Sequence, residues 1–157
     1  MKSVDSACGY TVAISEPADG ARIYEFLKEY TKLNSDGTLN RKLNLAKQVK
    51  HYVDDALCVV LLHCDNIVGI AFLNKDEVST TINRYVVDSE HRDGCGEYLF
   101  ANTLVNELIE DDNIELVPGW IQTNIFNGAL IDMTKFGGPY LFRLDYRDVF
   151  KKIREEL

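Results

Sequence analysis

The chain has 157 residues, with 17 Lys and Arg against 25 Asp and Glu and a formal net charge of −8. That length suits one domain, residues 1–157, with a full hydrophobic core, and 46% hydrophobic with 27% charged residues is a globular composition, not a disordered one. An acidic chain without a Lys/Arg cluster repels phosphate backbones, no apolar run reaches the roughly 18 residues of a membrane span, and Met1-Lys2-Ser3-Val4-Asp5-Ser6 carries no apolar secretion segment; the expectation is a cytoplasmic protein that binds neither nucleic acid nor membrane.

In chain order, residues 10–15 make a first short strand. Glu16-Pro17-Ala18-Asp19 carries helix-start signals, and Ile23, Phe26, Leu27 and Tyr30 then fall on one helical face. Asn34-Ser35-Asp36-Gly37 is a turn cluster, after which Leu45, Val49, Tyr52 and Val53 mark a second helix. Residues 56–63 form a continuous apolar run, as in a strand buried on both faces. Asp65-Asn66 is a two-residue hairpin turn, residues 67–73 a third strand, and residues 77–87 a fourth, rich in Thr, Tyr and Val. Thr80, Thr81, Asn83 and Arg84 make this strand unusually polar, and a central strand accepts an Arg only where it lines a cleft or has a partner.

A polar loop, residues 88–96, leads from this strand into a third helix, whose face is Ala101, Leu104, Val105 and Leu108. Glu110-Asp111-Asp112-Asn113 ends the helix in a solvated loop. Residues 120–123 form a fifth strand, residues 128–136 a fourth helix, and residues 140–149 a last strand or hairpin. Cys8, Cys58, Cys64 and Cys95 form no CxxC pair and have no zinc spacing with His51, His63 or His91, so four reduced thiols and no metal are expected.

The loop is an anion site by construction. The first N–H groups of a helix lack internal partners and carry the positive end of its dipole. Gly94 and Gly96 bring backbone close to a phosphate without an intervening Cβ, and Arg92 adds charge. His91-Arg92-Asp93-Gly94-Cys95-Gly96 resembles the Arg/Gln-x-x-Gly-x-Gly/Ala loop of the GNAT superfamily of N-acetyltransferases, and Val86-Val87-Asp88-Ser89-Glu90 is similar to the approach to that loop. The element order of residues 10–149 follows the same family, and the short chain with lean motifs resembles its bacterial and phage members.

The resemblance implies an α+β fold with a mixed, mostly antiparallel sheet of six to seven strands and about four flanking helices. It implies direct transfer of an acetyl group from acetyl-CoA, as co-substrate, to an amine on a small molecule or a protein, and the acidic chain suits a cationic acceptor. The cofactor residues would be Val86, Val87, Arg92, Gly94, Cys95, Gly96 and, on the pantetheine arm, Asn127. The backbone of residues 85–87 would hold the carbonyl oxygen. The sequence departs from the family at several points. Asp93 stands where Lys is common, and the usual acid Tyr falls on Met133 or Thr134, which leaves Tyr140 and Tyr146 as candidates. The usual strand Glu falls on Thr80, so Glu77 is the candidate base, although its odd offset from Thr80 turns it to the opposite strand face. A homodimer is one oligomeric expectation. A second reading is a protein of this fold that binds CoA or a protein partner without catalysis.

Overall fold

The computed structural model describes residues 1–30, 44–76, 80–92, 94–108, 113–116, 121–122 and 142–145. Within these, the order is β1 (Lys2–Ala7), β2 (Tyr10–Ile14), a 3-10 turn (Pro17–Asp19), α1 (Gly20–Lys28), α2 (Leu45–Asp54), β3 (Leu57–His63), β4 (Asn66–Lys75) and β5 (Thr80–Val87). A second 3-10 turn (Ser89–His91) leads into α3 (Cys95–Thr103), which runs on into a π-helical segment (Leu104–Leu108). Strands β6 (Asn113–Leu116), β7 (Ile121–Gln122) and β8 (Phe142–Asp145) follow.

All eight strands join one sheet in the order β1-β2-β3-β4-β5-β6-β8, with β7 also paired to β5. Neighbours are antiparallel except that β6 and β7 run parallel to β5. This is the expected mixed sheet, and two of its strands, β1 and β6, lie where no strand was expected. The expected helix over 128–136 lies outside the described residues.

Each element forms for a local reason. Pro17 opens the first 3-10 turn, where a missing N–H costs nothing, and the Asp19 carboxylate accepts the N–H of Glu16 at 2.8 Å. Ile23 and Leu27 of α1 and Leu45, Val49, Tyr52 and Val53 of α2 are buried, so the spacing in the sequence is the face that packs. The run in β3 is apolar because both of its faces are covered: Cys58 and Val60 pack under α1 and α2, whereas Val59 and Leu61 pack under α3. Strand β5 is shared in the same way, with Val86 on the α1–α2 side and Ile82, Tyr85 and Val87 on the α3 side.

Two tight turns have positive φ at both central residues: Cys8 (47°) and Gly9 (85°) between β1 and β2, and Cys64 (51°) and Asp65 (61°) between β3 and β4. His63 pairs with Asn66, so the second turn is Cys64-Asp65, one residue earlier than expected. The first turn brings Cys8 to the start of α3, where it forms a disulfide with Cys95, their Cα atoms 6.8 Å apart. This corrects the expectation of four reduced thiols. The partners are separated by 87 residues, and topology brings them together where sequence spacing gives no hint. Cys58 is a buried thiol and Cys64 an exposed one. Among the described residues, no helix is long and apolar enough to cross a membrane.

Candidate functional site

The site begins where β5 ends. Val87 pairs with Gly69, and the next residue, Asp88, donates its N–H to the Val68 carbonyl at 2.8 Å. The Asp88 carbonyl then accepts the N–H of His91 at 2.8 Å, closing the 3-10 turn. The Asp88 carboxylate accepts the Tyr30 hydroxyl at 2.8 Å and so ties the end of α1 to the loop. Burial raises the Tyr30 hydroxyl well above its ordinary pKa, and the hydrogen bond to Asp88 and the charge of Asp88 add to the rise.

Both basic residues of the loop contact protein. Arg92 Nε donates to the Val87 carbonyl at 2.7 Å, and Nδ1 of His91 shares a 2.7 Å hydrogen bond with the Tyr10 hydroxyl. Gly94 is the N-cap of α3, and its carbonyl accepts the first helical bond, from the Tyr98 N–H, at 3.0 Å. The N–H groups of Cys95 and Gly96 precede that ladder at the positive end of the dipole, which is the geometry an anion requires.

The two glycines have different surroundings. Gly94 is extended (φ −116°, ψ −173°), a conformation open to any residue, and among the described residues a Cβ there would meet only the Arg92 carbonyl oxygen, at 4.0 Å. The described residues do not demand a glycine at this position, and they leave space beside the loop. A Cβ on Gly96 would lie 2.5 Å from the Tyr10 ring. Gly96 is therefore needed for packing of α3 against β2.

Of the other expected cofactor residues, Val86 and Val87 are fully buried in β5, whereas the exposed Cys95 has its sulfur in the disulfide and only its backbone can serve a ligand. Asn127, Asp93 and the candidates Glu77, Tyr140 and Tyr146 lie outside the described residues. Among the described residues, no group of His, Cys, Asp and Glu has the arrangement of a metal site.

Strand β5 pairs with β6 over Thr80–Ile82 and with β7 at Tyr85 and Val86. Between the two stretches lies a bulge against β4: Phe72 faces Arg84 and Leu73 faces Ile82, so Asn83 is the extra residue. Its amide donates to the Tyr52 hydroxyl, which also accepts from Asn74 Nδ2 at 2.6 Å. Arg84 is 2% exposed and its Nη2 donates weakly to Gln48 Oε1 at 3.4 Å. Burial lowers its pKa to about 10, so it stays protonated at neutral pH. Asn83 and Arg84 of β5 thus have partners on α2. On the α3 side, the Tyr85 hydroxyl lies 3.5 Å from the fully buried carboxylate of Glu97. A groove of about 550 Å³ opens beside Asp88, and its lining includes Glu25, Phe26, Glu29 and Tyr30.

Sequence reasoning missed Tyr10, Tyr30 and Glu97. The Cys8-Gly9 dipeptide was the available signal for Tyr10, because X-Gly favours a two-residue hairpin turn and places the next residue at the head of a strand.

No protein-family model matches the chain, and no curated protein matches it. Its structure is similar to that of a diaminobutyrate acetyltransferase from Paenibacillus lautus, solved in complex with L-2,4-diaminobutyric acid and coenzyme A (TM-score 0.54, 18% identity, covering 82% of this chain and 75% of that one). It is similar also to GNAT-family acetyltransferases from Bacillus cereus (TM-score 0.51, 16% identity, 82% and 81% covered) and Streptococcus pneumoniae (0.51, 15%, 82% and 83%). The chain has the fold of the GNAT acetyltransferases.

Proposed function

We propose that this protein is one acyltransferase domain that moves an acetyl group from acetyl-CoA directly to an amine. The observation that carries the reading is the loop from Asp88 to Gly94. It is tied at both basic residues, ends at the N-terminus of a nine-residue helix and, among the described residues, has space beside Gly94. The likeness in fold to GNAT acetyltransferases, one of them solved with coenzyme A, supports a CoA pyrophosphate as the anion.

The chemistry needs a deprotonated amine, a stabilised carbonyl oxygen and a proton for the departing thiolate. Backbone N–H groups of β5 near Tyr85, Val86 and Val87 would hold the oxygen, on a strand fixed by burial on both faces. Glu77 is the candidate base, Tyr140 and Tyr146 are candidate acids, and Asn127 is the candidate contact for pantetheine. The net charge of −8, with Glu25, Glu29 and Asp88 about the α1 groove, supports a cationic acceptor such as a polyamine, an aminoglycoside or a protein amine.

The test combines binding and turnover. Acetyl-CoA at about 100 times its Kd should stabilise the fold by about 2.7 kcal/mol, seen as a rise in melting temperature. A panel of amines should then accelerate the loss of thioester absorbance. A melting shift without turnover on any amine would favour a CoA-binding module, and no shift would remove CoA as the ligand.

A further inference from the structure

The tip of the β1–β2 hairpin reaches the phosphate loop through three separate contacts. Cys8, in the hairpin turn, is bonded to Cys95, the first residue of α3. The Tyr10 hydroxyl meets His91 in the turn that opens the loop, at 2.7 Å. The Tyr10 ring lies against Gly96, so closely that a Cβ there would stand 2.5 Å from a ring carbon. His63, at the end of β3, supports the ring from another side, with centroids 4.6 Å apart. The hairpin therefore holds the loop where it begins and where it enters the helix.

We infer that Tyr10 is a positioning residue for the phosphate loop and that the Cys8–Cys95 disulfide is its covalent latch, so that affinity for acetyl-CoA depends on the redox state of this pair. The inference rests on the reading of the loop as the CoA site. A ligand that needs an ordered loop binds more weakly in proportion to the fraction of molecules that have it ordered. The disulfide and the Tyr10–His91 bond both raise that fraction without touching the ligand. Cys8 and Cys95 are exposed, so a small dithiol can reach them. Its first thiolate attacks one sulfur, which breaks the Cys8–Cys95 bond, forms a mixed disulfide and releases the other cysteine as a thiolate; its second thiolate then attacks the mixed disulfide and releases the remaining cysteine. The dithiol leaves as a cyclic disulfide, oxidised by two electrons, and Cys8 and Cys95 are left as thiols.

The experiment is calorimetric titration with acetyl-CoA, whose sulfur is acylated and does not itself reduce the disulfide. It compares oxidised wild type, wild type treated with dithiothreitol, Cys8→Ser, Tyr10→Phe, His91→Ala and the Tyr10→Phe/His91→Ala pair, each well below its melting temperature. Reduction should weaken binding about three- to tenfold. Cys8→Ser should match the reduced wild type and not respond to the dithiol. Tyr10→Phe keeps the ring on Gly96 and loses only the hydroxyl; it should weaken binding to a similar extent and add nothing further in the His91→Ala background. Unchanged affinity in Tyr10→Phe or in the reduced wild type, with the oxidised wild type binding normally, overturns the inference and leaves the CoA reading standing. Absence of saturable binding by the oxidised wild type overturns both.

Discussion

A Cβ on Gly96 would collide with the Tyr10 ring, which is held by His63 and His91 and cannot swing aside cheaply. Gly96→Ala should therefore destabilise the protein by about 1–3 kcal/mol, the usual cost of overpacking, as measured by urea denaturation. Gly94→Ala should leave stability within about 0.5 kcal/mol, because its backbone is extended and the described residues leave room for a Cβ, yet weaken acetyl-CoA binding by filling the space beside the loop. The motif shows both glycines, but not that a side chain at Gly96 would meet the core, because that depends on a tyrosine distant in sequence. At the same scale, Arg92→Ala should cost more acetyl-CoA affinity at neutral pH than His91→Ala. Arg92 both carries a permanent charge and fastens the loop to Val87, whereas the hydrogen bond of His91 goes to the Tyr10 hydroxyl. Titration of the two variants with acetyl-CoA checks the order. Burial pushes the Cys58 thiol up to about 12 from 9.0. A thiol whose pKa is raised by folding stabilises fully below the unfolded value, and that contribution is lost as pH climbs through the window from about 9 to about 12. Between pH 9 and 10.5 the wild type should lose about 2 kcal/mol more than Cys58→Ala, at roughly 1.4 kcal/mol per pH unit.

Helices α1 and α2 show in the sequence because each buries one stripe, and the stripe repeats with the helical period. Strand β1 does not, because all of its residues except Val4 are exposed and no alternation marks it. The β3–β4 turn is misplaced by one residue for a related reason: Cys64 adopts φ 51°, and nothing about a cysteine advertises that conformation. Asp65, at φ 61°, is the position where glycine relieves the backbone. Asp65→Gly should raise stability by about 0.5–1 kcal/mol, visible as a higher melting temperature. The disulfide was equally invisible, since four cysteines allow three pairings and the spacing selects none. Opening it should lower stability by about 2–4 kcal/mol, which scanning calorimetry with and without a dithiol would measure.

Across the whole molecule, β5 is the strand that fold and candidate site have in common. It faces α1 and α2 with Val86 and α3 with Tyr85 and Val87, and the loop hangs from its end. The layered order of helices, meander, loop and helix was legible because each layer has its own hydrophobic period. The contacts that complete the site were not, because Tyr10 meets His91 across 81 residues and Tyr30 meets Asp88 across 58.

The plainest strand carries its own consequence. β1 ends the sheet with Lys2 and Asp5 on an exposed ribbon, and its register with β2 slips between Ser3 and Asp5. Charges and a slip on an outer strand are what keep a neighbouring molecule from adding itself to the sheet. Removing residues 1–7 would bare the hydrogen-bonding edge of β2, a strand with Val12 and Ala13 at its centre and neither charge nor proline to discourage pairing. Light scattering of the shortened chain should then show time-dependent aggregation under conditions in which the full chain stays dispersed.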